Sequence, residues 1–262
     1  MNLELTDKTA LVSGSTKGIG FAIASQLAAE GARVMVNGRS DSSVNSALEQ
    51  IRKAVPEAKV EGFAGDLATA TATEELRKVL PAVDILVNNL GIFEPKPFNE
   101  IPDEDWRRFF EVNVLSGVRL SRAYLSGMKE RNWGRIVFIS SESAVNTPGE
   151  MIHYGMTKTA QLAVSRGLAQ DCGGTGITVN AILPGPTHSA GVEEFVKQLG
   201  GGQSFETFEK EFFKSVRPSS LLKRFETPDE VARLVTFVCS PIASVITGAA
   251  LRIDGGVVSS CF

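Results

Sequence analysis

Short runs of aliphatic and β-branched residues punctuate the chain at Thr9–Ser13, Arg33–Asn37, Val60–Ala64, Ile85–Asn88, Arg135–Ser140, Thr178–Leu183 and Ala249–Ile253. Most are apolar throughout instead of alternating, which predicts strands covered on both faces. Between them, helical spacing marks Ile19–Glu30, Ser42–Ala54, Thr73–Leu80, Trp106–Gly127, Tyr154–Cys172 and Asp229–Cys239. The run Thr227-Pro228-Asp229-Glu230 reads as a helix start: a capping hydroxyl, Pro at the first position, then acids at the positive end of the dipole. Apolar strands alternating with helices predict an α/β fold with a doubly wound parallel sheet. No repeat, low-complexity tract or flexible linker interrupts the alternation, so residues 1–262 read as a single domain.

One segment departs from this pattern. Roughly residues 187–224 follow the Pro184-Gly185-Pro186 break, contain Gly200-Gly201-Gly202, and carry Phe195, Phe205, Phe208, Phe212 and Phe213. Two readings stay open: a helical pair packed on the body, or a lid closing over a largely apolar substrate.

Composition narrows the class. The 262 residues are 43% hydrophobic, enough for a sizeable core, and 27 basic against 30 acidic residues leave a net charge of −3, which does not favour a polyanion-binding protein. The cysteines Cys172, Cys239 and Cys261 are widely spaced, so neither a disulfide framework nor a zinc site is expected. The histidines His153 and His188 have no acidic partner at ligand spacing, and no metal is expected. The polar start of the chain and the lack of a long apolar run lead to the expectation of a cytoplasmic protein with no membrane or nucleic-acid partner.

The chemistry begins after the first strand, at Ser13-Gly14-Ser15-Thr16-Lys17-Gly18-Ile19-Gly20. Glycines at a strand–helix turn let a diphosphate approach backbone N–H groups at the helix's positive end. The second strand ends Val36-Asn37-Gly38-Arg39-Ser40. An acid there would accept a ribose 2′-hydroxyl. Here Gly38 takes its place, and Arg39 with Lys17 supplies cations suited to a 2′-phosphate. That favours NADP(H), although either cation alone is also read as a solvated surface charge.

Tyr154 and Lys158 share one face of a predicted helix start. An ammonium beside a phenol stabilises phenolate, so Lys158 is expected to lower the Tyr154 pKa and equip it for proton transfer. Ser141 closes the fifth strand, where a hydroxyl points into the ligand crevice of an open parallel sheet. Ser140 and Ser143 are its neighbouring alternatives. His153, Glu94, Glu142 and Glu150 are each read as either pocket-lining or ordinary packing and surface residues.

Taken in order, these landmarks resemble the short-chain dehydrogenase/reductase family over nearly the whole chain, which implies a Rossmann-type fold. The glycine loop fits its Gly-x-x-x-Gly-x-Gly pattern, and Asp66-Leu67 stands where the family contacts adenine. Asn88-Asn89-Leu90-Gly91 resembles its Asn-Asn-Ala-Gly turn, and Val179-Asn180-Ala181 leads into Pro184-Gly185. The resemblance implies Tyr154 as general acid in reduction and Lys158 as ribose ligand and tuner of Tyr154. It implies Ser141 as the group orienting the carbonyl, and Asn113 as holder of a relay water. The cofactor site would comprise Gly14, Ser15, Thr16, Lys17, Gly18, Ile19, Gly20, Arg39, Ser40, Asp66, Leu67, Asn89, Gly91, Tyr154, Lys158, Pro184, Gly185, Thr187 and Ser189. Similar enzymes form homo-oligomers, so a tetramer or dimer is implied. Leu90 replaces the family's Ala, and its larger side chain is expected to reshape the pocket.

The expected function is NADPH-dependent reduction of a ketone or aldehyde to an alcohol. The alternative is reduction of a 3-oxoacyl thioester, whose acyl carrier would want a basic patch. Arg107, Arg108, Arg119, Arg122, Lys129 and Arg131 are candidates for it. A non-catalytic NADPH-sensing regulator would have been expected to lose part of the Ser/Tyr/Lys set.

Overall fold

The computed structural model describes residues 2–188 and 204–261. Within these bounds the strands are β1 (Thr9–Val12), β2 (Arg33–Gly38), β3 (Lys59–Ala64), β4 (Ile85–Asn88), β5 (Gly134–Ile139), β6 (Ile177–Pro184) and β7 (Ala250–Ile253). They form one parallel sheet in the order β3-β2-β1-β4-β5-β6-β7. The helices are α1 (Gly18–Ala29), α2 (Asp41–Ala54), α3 (Ala70–Val79), α4 (Asp103–Phe110), α5 (Ser116–Glu130), α6 (Ile152–Asp171), α7 (Phe205–Ser215) and α8 (Pro228–Val238). This is the Rossmann-like, doubly wound α/β architecture that the strand pattern predicts.

The apolar strands follow from cover on both faces. Side chains alternate across a strand, so each central strand feeds two cores. The row Met35, Leu11, Leu86, Ile136 and Val179 runs in register across one face. It packs against Leu76 of α3 and against Leu120, Tyr124 and Met128 of α5. Val36, Val12, Val87 and Val137 form the opposite row. They meet Ile23 and Leu27 of α1, Leu48 and Ile51 of α2, and Val231 and Val235 of α8. The edge strand β3 has less to cover it and is exposed at half of its positions, Lys59 and Glu61 among them.

The single helix expected over Trp106–Gly127 is not observed. A π-helical turn at Glu111–Leu115 divides it into α4 and α5. Such wide turns concentrate at functional sites, and this one carries Asn113. The segment rich in phenylalanine supplies α7, capped by Ser204 accepting from Thr207 N. Phe205, Phe208, Phe212 and Phe213 gather around Phe225, with ring centroids 4.9–6.2 Å from it. Phe195, Ser189 and the Gly200-Gly201-Gly202 run lie outside the described residues. Among the described residues no helix is long and apolar enough to cross a membrane.

Candidate active site

The strand order reverses between β1 and β4, and ligands of open α/β sheets bind outside the carboxyl ends of the strands at such a point. There the chain encloses a cavity of about 810 Å³. Its wall includes Ser141, Tyr154 and Lys158, together with Ile19, Asn89, Gly91, Pro184, Gly185 and Thr187. Residues far apart in sequence are thus brought to one place.

Each catalytic candidate is held by backbone partners. Ser141 caps the short turn Glu142–Ala144 by accepting from Ser143 N at 3.1 Å. Ser140, its alternative, turns away and donates to the Lys158 carbonyl at 2.9 Å, tying β5 to α6. Lys158 is 4% exposed, and its Nζ donates to the Ile139 carbonyl at 2.9 Å. That Nζ lies 5.5 Å from the Tyr154 ring centroid. Thr157 donates to the Tyr154 carbonyl at 2.7 Å and accepts from Asn113 Nδ2 at 2.9 Å. Asn113 also clasps Ile92, accepting from its N–H at 2.7 Å and donating to its carbonyl at 3.0 Å. Gln161 Nε2 donates to the Asn113 carbonyl at 2.6 Å. Asn113 therefore fastens the segment after β4 to the second turn of α6.

The electrostatics differ from expectation. Burial pushes the Tyr154 phenol up to about 12, although its face keeps some surface in the cavity; the Ser141 hydroxyl pulls the other way. Burial also pushes Lys158 down to about 7. Desolvation, which disfavours either charged form, dominates at both residues, and the lowering of Tyr154 by Lys158 that the sequence predicts does not emerge. The phenol is left protonated, the form a proton donor needs.

The turn between β1 and α1 is built to approach a ligand closely. A Cβ on Gly20 would stand 2.4 Å from Asn89 Nδ2 and 2.5 Å from the Gly14 carbonyl, leaving no room for a side chain. Asn89 Nδ2 bridges the Ser13 and Gly14 carbonyls at 3.0 Å each. Lys17, the N-cap of α1, makes no side-chain cap hydrogen bond, so the first-turn N–H groups are available to a diphosphate. Ser15, Thr16 and Gly18 complete this turn. Asn37 supports it from β2: its Oδ1 accepts from Gly14 N at 3.0 Å, and its Nδ2 donates to the Phe63 and Gly65 carbonyls. Asn37 was not singled out in the sequence, because only the fold brings β2 and β3 beneath the loop.

Beyond β2, Lys17, Arg39 and Ser40 are exposed, and Ser40 caps α2. A Cβ on Gly38 would meet Thr16 Cγ2 at 2.5 Å, so an acid has no space there. Asp66 accepts from Ala68 N at 3.1 Å in an exposed turn. Leu67 is 1% exposed and packs in the core, which leaves only its backbone to meet a ligand.

Other expectations change. Leu90 does not crowd the cavity: it packs on the core and lies against Gly14. His153 is fully buried between Phe109 and Trp106, at centroid distances of 4.1 and 6.0 Å, and does not line the cavity. Glu94 faces Arg108 and Lys96. Glu142 and Glu150 do line the cavity, joined by Arg217, a residue the sequence gave no reason to select.

Comparison with known proteins agrees with this geometry. A family model described as enoyl-(acyl carrier protein) reductase matches residues 14–258. The uncharacterized oxidoreductase YvaG of Bacillus subtilis (strain 168) is 50% identical over 264 residues, with both chains covered in full. The 3-oxoacyl-[acyl-carrier-protein] reductase FabG of Aquifex aeolicus is 33% identical, covering 98% of this chain and 100% of its own. Among solved structures, L-sorbose reductase from Gluconobacter frateurii, complexed with NADPH and L-sorbose, superposes with a TM-score of 0.93 at 30% identity, covering 99% of this chain and 100% of that one. Fold, ordered motifs and relatives together establish that the chain belongs to the short-chain dehydrogenase/reductase family of oxidoreductases.

Proposed function

We propose that the protein is an NADPH-dependent reductase that converts a ketone or aldehyde to an alcohol. The observation that carries this reading is the convergence of Ser141, Tyr154 and Lys158 on one wall of the cavity at the strand-order reversal. The glycine turn and uncapped α1 N-terminus would hold the diphosphate, and Lys17, Arg39 and the Ser40 hydroxyl would receive the 2′-phosphate. Pro184, Gly185, Thr187, Asn89 and Gly91 would border the nicotinamide, with Lys158 on its ribose. When bound, that group supplies the hydride.

The protein's own part is proton transfer. The Ser141 hydroxyl holds the carbonyl oxygen, and the neutral Tyr154 phenol donates the proton that turns it into a hydroxyl. Lys158 buried beside the ring makes loss of that proton less costly when charged. Two hydroxyls lining one cavity suit an oxygen that gains charge as hydride arrives, which favours a carbonyl over a carbon–carbon double bond. Phe208 and Phe212 of α7 line the outer wall, and the reading of residues 187–224 as a cover over the substrate rests on them.

The similarity to FabG supports a second reading, reduction of a 3-oxoacyl thioester. Against it, the candidate basic patch is largely neutralised. Arg107 pairs with Asp103 and Glu104, Arg108 with Glu94 and Asp105, Arg119 with Glu111, Lys129 with Asp171 and Arg131 with Asp84.

The test is NADPH consumption with ketones, aldehydes and 3-oxoacyl thioesters, with Tyr154→Phe alongside. Loss of a general acid should lower kcat by about 100- to 10,000-fold while NADPH binding persists. Undiminished turnover in the variant would overturn the assignment of Tyr154.

A further inference from the structure

We infer that the buried pair Glu142–Arg217 is the substrate-recognition element of this site, and that it selects a neutral carbonyl compound carrying a hydroxyl near the carbonyl. The inference rests on the carbonyl-reductase reading above and names the substrate class for the same cavity.

Glu142 directly follows Ser141 and is 3% exposed, while Arg217, two residues beyond α7, is 8% exposed. Arg217 Nε donates to Glu142 Oε1 at 2.9 Å, and its Nη1 reaches Glu150 Oε1 at 3.4 Å and the Val216 carbonyl at 3.0 Å. Glu142, Glu150 and Arg217 line the same cavity as Ser141 and Tyr154. The cluster thus ties together the turn after β5, the turn before α6 and the end of α7, around the place where the carbonyl must sit.

Stability does not account for the pair. Desolvating two ions costs about as much as their attraction returns, and apolar residues of similar size would join these segments equally well. At a cavity wall, one residue from the reacting hydroxyl, the ions serve a ligand better than they serve the fold.

The free valences specify that ligand. Glu142 Oε2 makes no hydrogen bond within normal distance among the described residues, and the Arg217 bonds run through Nε and Nη1 alone. A hydroxyl both donates and accepts, so it can give its proton to the carboxylate and take one from the guanidinium. Oε2 is covered in this conformation, and a turn of the soft terminal torsion of Glu142, which moves both oxygens and loosens the Oε1 bond to Arg217, would bring the carboxylate to a hydroxyl that Arg217 also meets. A carboxylate on the substrate has no proton to give and would face Glu142, Glu150 and Glu211, with Arg217 already bonded to two of them and Lys158 set beside Tyr154. A plain alkyl group would offer the pair no further hydrogen bond. The rest of the wall, with Phe93, Phe208 and Phe212, accepts the carbon skeleton.

The test compares three small ketones of similar size: hydroxyacetone, butanone and pyruvate. With NADPH, the wild type should prefer hydroxyacetone over butanone by about 10- to 100-fold in kcat/KM, as expected for a hydrogen bond to a charged group, with pyruvate poorest. Glu142→Leu combined with Arg217→Met keeps the packing and removes both charges. Its hydroxyacetone-to-butanone ratio should fall at least about tenfold, ~1.4 kcal/mol. Comparing ratios between proteins cancels the intrinsic reactivity of each ketone, and NADPH titration with thermal unfolding reports whether the double variant folds. Should it not fold, the isosteric Glu142→Gln is read in the same way. A ratio unchanged in a folded variant overturns the pair's role and leaves carbonyl reduction standing. Absence of turnover with any ketone overturns the reductase reading instead. The pair is then judged by the unfolding temperature of the NADPH complex: a larger rise with hydroxyacetone than butanone, lost in the variant, upholds it, and equal rises overturn it.

Discussion

Glu226 shows how far one buried group departs from its ordinary behaviour. It is 4% exposed, and its Oε2 accepts from Gly185 N at 3.1 Å, holding the turn that follows β6. Its Oε1 makes no hydrogen bond among the described residues. Burial, reinforced by Asp254 and Glu230, pushes its pKa from 4.5 up to about 8 despite the Gly185 N–H. Between those values the folded protein keeps a proton that the unfolded chain releases. The stabilisation is complete below 4.5 and lost as pH rises through about 8. Glu226→Gln is neutral throughout, so its Tm should decline by several degrees less than that of the wild type between about pH 5 and about pH 9. Parallel declines would mean that Glu226 is charged and solvated at neutrality. Nothing adjacent in sequence marks Glu226 or Arg217 as special. Arg217 stands 75 residues from its partner Glu142, and burial of that kind is a product of topology. Ser141, by contrast, could be selected from the sequence by its thirteen-residue spacing to Tyr154 just past a parallel strand, with Ser140 and Ser143 as alternatives. Its neighbour Ser140 is turned to the Lys158 carbonyl instead.

At the scale of elements, local chemistry was legible wherever it is enforced by neighbours in sequence. The start of α8 is the best case. Thr227 Oγ1 accepts from Glu230 N at 3.2 Å while Glu230 Oε2 accepts from Thr227 N at 2.8 Å, a complete capping box with Pro228 at the first position. Arg224 forks onto both Glu230 oxygens at 2.9 and 2.7 Å, which holds that carboxyl well below its ordinary range, at about 2. Thr227→Ala removes one arm of the box and should cost about 1 kcal/mol, or roughly 2–4 °C in Tm for a chain of this size. A change within error would show that Arg224 and Glu230 hold the turn without the hydroxyl. NADPH affinity is expected to stay close to that of the wild type, because Thr227 does not line the cavity. The π turn at Glu111–Leu115 was not legible, since its residues suit an ordinary helix. The clasp of Asn113 on Ile92 and Thr157 provides tertiary bonds that compensate the widened turn, and these come from segments 21 and 44 residues away.

At the scale of the molecule, alternation of apolar strands with helices determined the sheet, and the sheet determined where chemistry collects. With both faces filled by helices, the carboxyl ends of β1, β4, β5 and β6 are the ground left for a cleft. What the pattern could not convey was the content of the cleft's far wall, because the segment that carries α7 left two readings open. The cofactor preference can be read from the stability of the whole fold. A ligand that binds only the native state raises its stability by RT ln(1 + [L]/Kd), about 2.7 kcal/mol at a hundredfold excess over Kd. For this chain length that is roughly 5–10 °C in Tm. The space that an acid would need at Gly38 is taken by Thr16, and Lys17 and Arg39 stand exposed beside it. NADPH should therefore raise Tm by several degrees more than NADH at equal concentration. Arg39→Leu should erase most of that difference while leaving the NADH shift nearly unchanged, because the lost bond is to the 2′-phosphate alone. Equal shifts with both cofactors in the wild type would remove the basis for an NADPH preference. A difference that survives in Arg39→Leu would transfer the role to Lys17 and the hydroxyls at the start of α2.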